Sequence, residues 1–143
     1  MSDVVLDASA LLALLQAEPG SEVVALKLAD SVMCTVNHSE VVAKLADLGM
    51  PAEAIHEALN LPIELVDFDQ VLAMRAGMLR PPTRDFGLSL GDRACLALAL
   101  ERGVPALTAE AAWAEVPNGP RVELIRSRHR AKSAASKSPR RRR

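Results

Sequence analysis

Four carboxylates stand out by type and by context. Asp7 closes a short apolar run in VVLDASALLAL, and no other charge lies between Val4 and Leu15. Glu40 stands in NHSEVVAKL, Asp92 in LSLGDRACLALAL and Glu110 in LTAEAAW. A carboxylate among Val, Leu and Ala costs several kcal/mol unless something neutralises or binds it. Carboxylates held close together repel, and one of them then takes up a proton. A divalent cation removes that conflict, and an all-oxygen donor set suits Mg²⁺ or Mn²⁺ rather than zinc. Such a set serves phosphoryl chemistry, in which the metal activates water, orients the phosphate and stabilises the leaving oxygen. The sequence has no Walker-type glycine loop and no G-x-S-x-G elbow, and Gly91-Asp92 lacks the further glycines of a phosphate cradle.

Taken singly, Glu40, Asp92 and Glu110 have a plainer explanation. Acids favour the first turn of a helix, through capping and the dipole, by about 0.3–1 kcal/mol each. Asp7 is harder to dismiss in this way. His38 sits near Glu40 and reads as a surface residue at a helix start, while His56 and His129 have no partner at ligand spacing.

Positioning four distant acids together requires a particular scaffold. The β-branched segment 4–6 reads as a strand and 8–16 as a helix stopped by Pro19-Gly20. Ser21 caps an expected helix over 22–29, and VMCTV at 32–36 reads as the second strand. Asn37 or Ser39 then caps a helix to Leu48, which places Glu40 in its first turn. Pro51 opens a helix through Asn60, a third strand follows at 63–66, and a helix spans 70–79 before the Pro81-Pro82 loop. Ser89 and Asp92 have the spacing of a capping box at the head of a helix to Arg102, which Gly103 ends. Strands at 104–108 and 122–125 flank a short helix at 110–115. Strands alternating with helices imply an α/β fold with a mostly parallel sheet covered on both faces. In such a sheet the strand C-termini and helix N-termini share one edge, where ligands bind. All four acids are expected at that edge.

The blocks VVLDASALLALL, NHSEVVAKL, LSLGDRACLALAL and LTAEAAWAEV, in this order and spacing, resemble the PIN-domain ribonucleases. They look most like the VapC-type toxins of bacterial toxin–antitoxin pairs. The resemblance spans roughly residues 3–125. It implies a three-layer α/β/α sandwich on a five-stranded sheet and a Mg²⁺- or Mn²⁺-dependent endoribonuclease. It places metal and catalytic roles on Asp7, Glu40, Asp92 and Glu110. Ser9 and Thr108 would orient carboxylates or water, and Asn37 could do likewise. Glu110 departs from the commoner Asp of the family, which bears on a second metal position. Trp113 reads as core packing, and Arg93 could approach a phosphate or pair with a site acid. The resemblance further implies a homodimer, an RNA substrate and a cognate antitoxin covering the site; a cytoplasmic location is expected from the two free thiols, Cys34 and Cys95.

The chain has 143 residues, half of them apolar, which suits one domain. No apolar run approaches the ~20 residues that span a bilayer, and nothing at the N-terminus reads as a secretion signal. Cys34 and Cys95 both lie in apolar runs and read as buried free thiols, without zinc-ligand spacing. The net charge of −1 conceals an asymmetry. Residues 126–143 carry nine Lys or Arg and no acid, whereas residues 1–125 carry eight against 18 Asp and Glu. A nuclease-like domain over 1–125 is therefore expected to carry a basic, disordered tail suited to a polyanion or to its own acidic body. Two other classes compete. A phosphoacceptor domain also sets an Asp at a strand end, but Asp7-Ala8-Ser9 lacks a second acid, and Lys27 and Lys44 come too early for a receiver. A catalytically inactive PIN-like module binding RNA or protein would keep the fold alone.

Overall fold

A computed structural model describes residues 4–127. Five strands form one sheet: β1 (Val4–Leu6), β2 (Ser31–Cys34), β3 (Glu64–Val66), β4 (Ala106–Thr108) and β5 (Val122–Leu124). Their order is β3-β2-β1-β4-β5, and every neighbouring pair is parallel. Six α-helices cover the sheet: α1 (Ala8–Leu15), α2 (Ser21–Lys27), α3 (Thr35–Asp47), α4 (Ala52–Ala58), α5 (Gln70–Met78) and α6 (Leu90–Arg102). The expected three-layer α/β/α sandwich is the observed fold.

The strands alternate between two cores, as the period of a pleated strand requires. Val4, Leu6, Met33 and Leu107 point to one side, where α1 to α4 contribute Leu11, Val24, Val41 and Ile55. Val5, Val32, Cys34 and Ala106 point to the other, against Leu72 of α5 and the run Ala94–Ala99 of α6. Seven of the thirteen residues of α6 are buried, Gly91 among them. That explains its nearly all-round apolar sequence. Trp113 packs into the same core, 3% exposed, as expected of it.

The element boundaries differ from expectation in ways that matter for the site. Strand β2 stops at Cys34, and α3 begins at Thr35 rather than after Asn37. Cys34 is the N-cap, with no side-chain cap bond, so neither Asn37 nor Ser39 caps this helix. The Thr35 hydroxyl instead accepts a hydrogen bond from the Phe68 amide, 3.1 Å away. Glu40 consequently lies in the second turn, not the first. Ser21 is the first residue of α2 rather than its cap, and Pro51 is the cap of α4 rather than its first residue. The segments Pro81–Phe86 and Ala111–Glu115 are 3₁₀ turns. Of the expected tail, Arg126 and Ser127 are described; its remainder, 128–143, lies outside the described residues.

Candidate active site

Asp7 leaves β1 and opens α1, so its backbone belongs to the C-terminal edge of the sheet. The residue is 4% exposed, and its carboxylate caps the helix, taking the Ala10 amide at 2.9 Å on Oδ1. The Ser9 hydroxyl donates to it, 2.8 Å from Oδ1 and 3.0 Å from Oδ2. The Thr108 hydroxyl, at the end of the neighbouring strand β4, donates to Oδ2 at 2.8 Å. Both hydroxyls are themselves fixed: Ser9 Oγ accepts from the Ala109 amide and Thr108 Oγ1 from the Glu110 amide, each at 3.0 Å. The Asp7 carboxylate is thus clamped from helix α1 and strand β4. Burial nonetheless pushes its pKa up to about 6, with the Glu110 charge adding to the rise and the hydrogen bonds opposing it.

Glu40 arrives from α3. Its Oε1 accepts from Asn37 Nδ2 at 3.1 Å, and the same amide donates to the Gly91 carbonyl of α6 at 2.9 Å. Asn37 is 1% exposed, and its Oδ1 takes no hydrogen bond from a described residue. Asp92 occupies the first turn of α6 in the expected capping box: its Oδ2 accepts from the Ser89 amide at 3.0 Å, and Ser89 Oγ from the Asp92 amide at 3.1 Å. Glu110 is exposed and precedes the turn Ala111–Glu115 without capping it by its side chain. Capping therefore accounts for Asp92, and also engages Asp7, but explains neither Glu40 nor Glu110.

These four acids line one cleft of about 330 Å³, together with Ala8, Ser9, Leu12, Asn37 and Lys44. Thr108 lies behind Asp7 rather than on the wall. As the side chains lie, no three His, Cys, Asp or Glu among the described residues close around a point that could hold a metal. The donor chemistry still fits a hard divalent cation, since every acidic donor is a carboxylate and a buried Asn37 oxygen lacks a partner. Glu40 and Glu110 are both exposed on the wall of this cleft.

The Arg93 guanidinium donates to the Ala76 carbonyl of α5 at 3.1 Å rather than to a site acid. His38 faces a larger apolar groove between α3 and α4, about 590 Å³, which no acid lines. Burial raises the pKa of both thiols, Cys95 well above the usual thiol range. Two residues of the site, one on the cleft wall and one behind Glu40, are not singled out by the sequence. Lys44, the one cation on the cleft wall, stands four residues after Glu40, a helical spacing that would have shared its face. Gly91 fills its role by having no side chain, since an added Cβ would overlap the Glu40 carboxylate.

The PIN-domain family profile matches residues 4–119. The chain belongs to the PIN-domain family. No curated protein matches it. The fold of this PIN domain is similar to those of several solved structures. With DNA-bound VapBC from Salmonella typhimurium it shares a TM-score of 0.71 and 19% identity, covering 88% of this chain and 100% of the other. With a toxin–antitoxin complex from Klebsiella pneumoniae the TM-score is 0.68 at 17% identity, covering 87% and 99%. With FitAcB from Neisseria gonorrhoeae it is 0.67 at 19%, covering 85% and 97%. At these identities the likeness is one of fold. Among the described residues, no helix of this PIN domain is long and apolar enough to cross a membrane.

Proposed function

We propose that this PIN domain is a metal-dependent endoribonuclease of the VapC toxin type. The observation that carries this reading is the cleft: carboxylates from four separate segments line it, and one of them, Asp7, is buried and clamped at the end of a parallel strand. Such investment in a costly buried acid is hard to explain by folding alone. Asp7, Glu40 and Asp92 would hold Mg²⁺ or Mn²⁺, with Glu110 contributing directly or through water. A bound ion would supply an activated water, orientation of the scissile phosphate and charge stabilisation at the leaving oxygen. Ser9 and Thr108 keep the Asp7 oxygens fixed in direction, which reduces the reorganisation needed when the cleft fills. Lys44 offers the approaching phosphate its one cation on the wall. The acidic cleft repels RNA until its charge is neutralised, so activity depends steeply on the ion.

The test is cleavage of single-stranded RNA by the purified full chain. Cleavage is expected with Mg²⁺ or Mn²⁺ and not in excess EDTA. Asp7→Asn is expected to reduce it by about 100-fold or more, beyond the 10–100-fold typical of groups one step removed from a metal. Cleavage persisting in EDTA would end the metal mechanism. The toxin role predicts growth arrest on expression, relieved by Asp7→Asn and by a co-expressed antitoxin. The homodimer that accompanies this reading is checked by sedimentation.

One observation favours a second reading, an inactive binding module of the same fold: no three acids close around a point as they lie. RNA binding without metal-dependent cleavage, at equal strength in wild type and Asp7→Asn, would decide for it.

A further inference from the structure

Glu40 reaches the cleft from a helix that starts earlier than its sequence suggests, and two features fix where its carboxylate sits. The Asn37 amide holds Glu40 Oε1 and, with the same nitrogen, the Gly91 carbonyl of the facing helix. Both partners are acceptors, so the amide orientation is set: nitrogen toward them, Oδ1 away. Gly91 lies in the first turn of α6, immediately before Asp92, and is buried. Its missing side chain is the space that the Glu40 carboxylate occupies. A glycine there is unfavourable for a helix compared with alanine, so the sequence gives up helix propensity at this position.

We infer that Asn37 and Gly91 are a pair of positioning residues, which lock the Glu40 carboxylate against the head of α6 and so set its spacing to Asp92. Asn37 supplies the bond and Gly91 the room. Through the Gly91 carbonyl, Asn37 also ties α3 to the turn that carries Asp92, so the two acids move as one unit. The unpartnered Asn37 Oδ1 belongs to a side chain on the cleft wall. A donor such as ordered water or a hydroxyl of the cleft's occupant would complete it. This inference rests on the proposed metal-binding role of Glu40 and Asp92 for its consequence, though not for its geometry.

The decisive variant is Gly91→Ala in the full-length protein. Intrinsic propensity alone would make alanine stabilise α6; here it evicts the Glu40 carboxylate. Two readouts separate the possibilities. The first is Mn²⁺ affinity, from the signal of free ion in electron paramagnetic resonance. Gly91→Ala and Asn37→Ala are each expected to weaken it by about 10–100-fold. The double variant Gly91→Ala with Glu40→Asp is expected to recover part of that loss, because removing one methylene returns the room the new Cβ takes. The second readout needs no metal. The Asn37 side-chain amide, seen by ¹⁵N nuclear magnetic resonance, is expected to be shifted and slow to exchange in the wild type, and to lose both features in Gly91→Ala. Equal Mn²⁺ affinity in wild type and Gly91→Ala, or a double variant no better than the single, overturns the inference. If the wild type binds no Mn²⁺ while the amide signals respond as stated, the positioning stands and the metal reading falls. If the amide exchanges freely in the wild type, the lock does not exist.

Discussion

Asp7 shows how one residue sets a stability against a function. Its carboxyl ionises at about 6 in the folded chain and near 3.8 when unfolded, because burial outweighs the hydrogen bonds from Ala10, Ser9 and Thr108. Between those two pH values the folded state holds a proton that the unfolded state has lost. Stability therefore falls as the pH rises through the window and stays lower above it. The shift corresponds to at most about 3 kcal/mol. Asp7→Asn keeps the shape and an acceptor for the Ala10 amide, and removes the charge. It is expected to gain about 1–3 kcal/mol at pH 7.5 and almost nothing below pH 3.8, read from urea midpoints at unchanged slope. A divalent cation should reverse the order, stabilising the wild type and leaving the variant where it was. A variant no more stable than the wild type at pH 7.5 would mean that the fold tolerates the buried charge without cost.

At the scale of elements, the head of α6 does two jobs with one motif. The Ser89 and Asp92 pair satisfies two backbone amides that the helix start leaves open, and it aims Asp92 at the same edge as Asp7. Ser89→Ala is expected to cost about 0.5–2 kcal/mol in chemical denaturation. It should also weaken Mn²⁺ binding, because the Asp92 turn loses its anchor. Ser89→Thr should preserve both. This motif was legible in the sequence because capping is local chemistry, fixed by residues three apart. Strands β1 and β4, the Gly103 stop of α6 and the alternation of strand and helix were legible for the same kind of reason. The start of α3 was not. Thr35 and Val36 carry β-branched side chains that favour a strand, yet both lie in α3, where the Thr35 hydroxyl takes the distant Phe68 amide. Local spacing makes a cap of Asn37 and a first-turn acid of Glu40, whereas in the fold Asn37 bonds a glutamate on its own helix and a carbonyl on another. Gly91 was visible as a glycine inside a helical pattern, which is a cost asking for a reason. The reason lies across the cleft, in α3, where no local pattern reaches.

On the scale of the whole molecule, the charges are divided against the proposed substrate. Residues 1–125 carry ten more acids than Lys and Arg, and the cleft itself is lined by four acids and one lysine. A body of that sign contributes little long-range attraction for a polyanion. The cations sit at the C-terminus, and where they start is informative. The Ile125 amide donates to the carbonyl of Thr108, whose hydroxyl holds Asp7, so the chain leaves the sheet one strand away from the site. Arg126 is then fixed to the body by the Pro19 carbonyl at 2.8 Å and the Glu18 carboxylate at 3.7 Å. The next eight Lys and Arg all follow Ser127 in the sequence. If they provide the attraction that the body lacks, RNA affinity should depend on salt through them. For single-stranded nucleic acid the slope of log affinity against log salt is about −0.7 per phosphate neutralised, hence at most about −6 for eight. Truncation after Ser127, compared in the Asp7→Asn background so that cleavage does not intervene, is expected to weaken binding by about 10-fold or more near 50 mM salt and to flatten the slope. Fluorescence anisotropy with a labelled single-stranded RNA measures both. Because Arg126 and Ser127 remain, the anchor to Glu18 is preserved and the body's stability should not change. An unchanged slope would mean that the tail does not touch the RNA, and that the capture of a polyanion by so acidic a body rests on the bound cation alone.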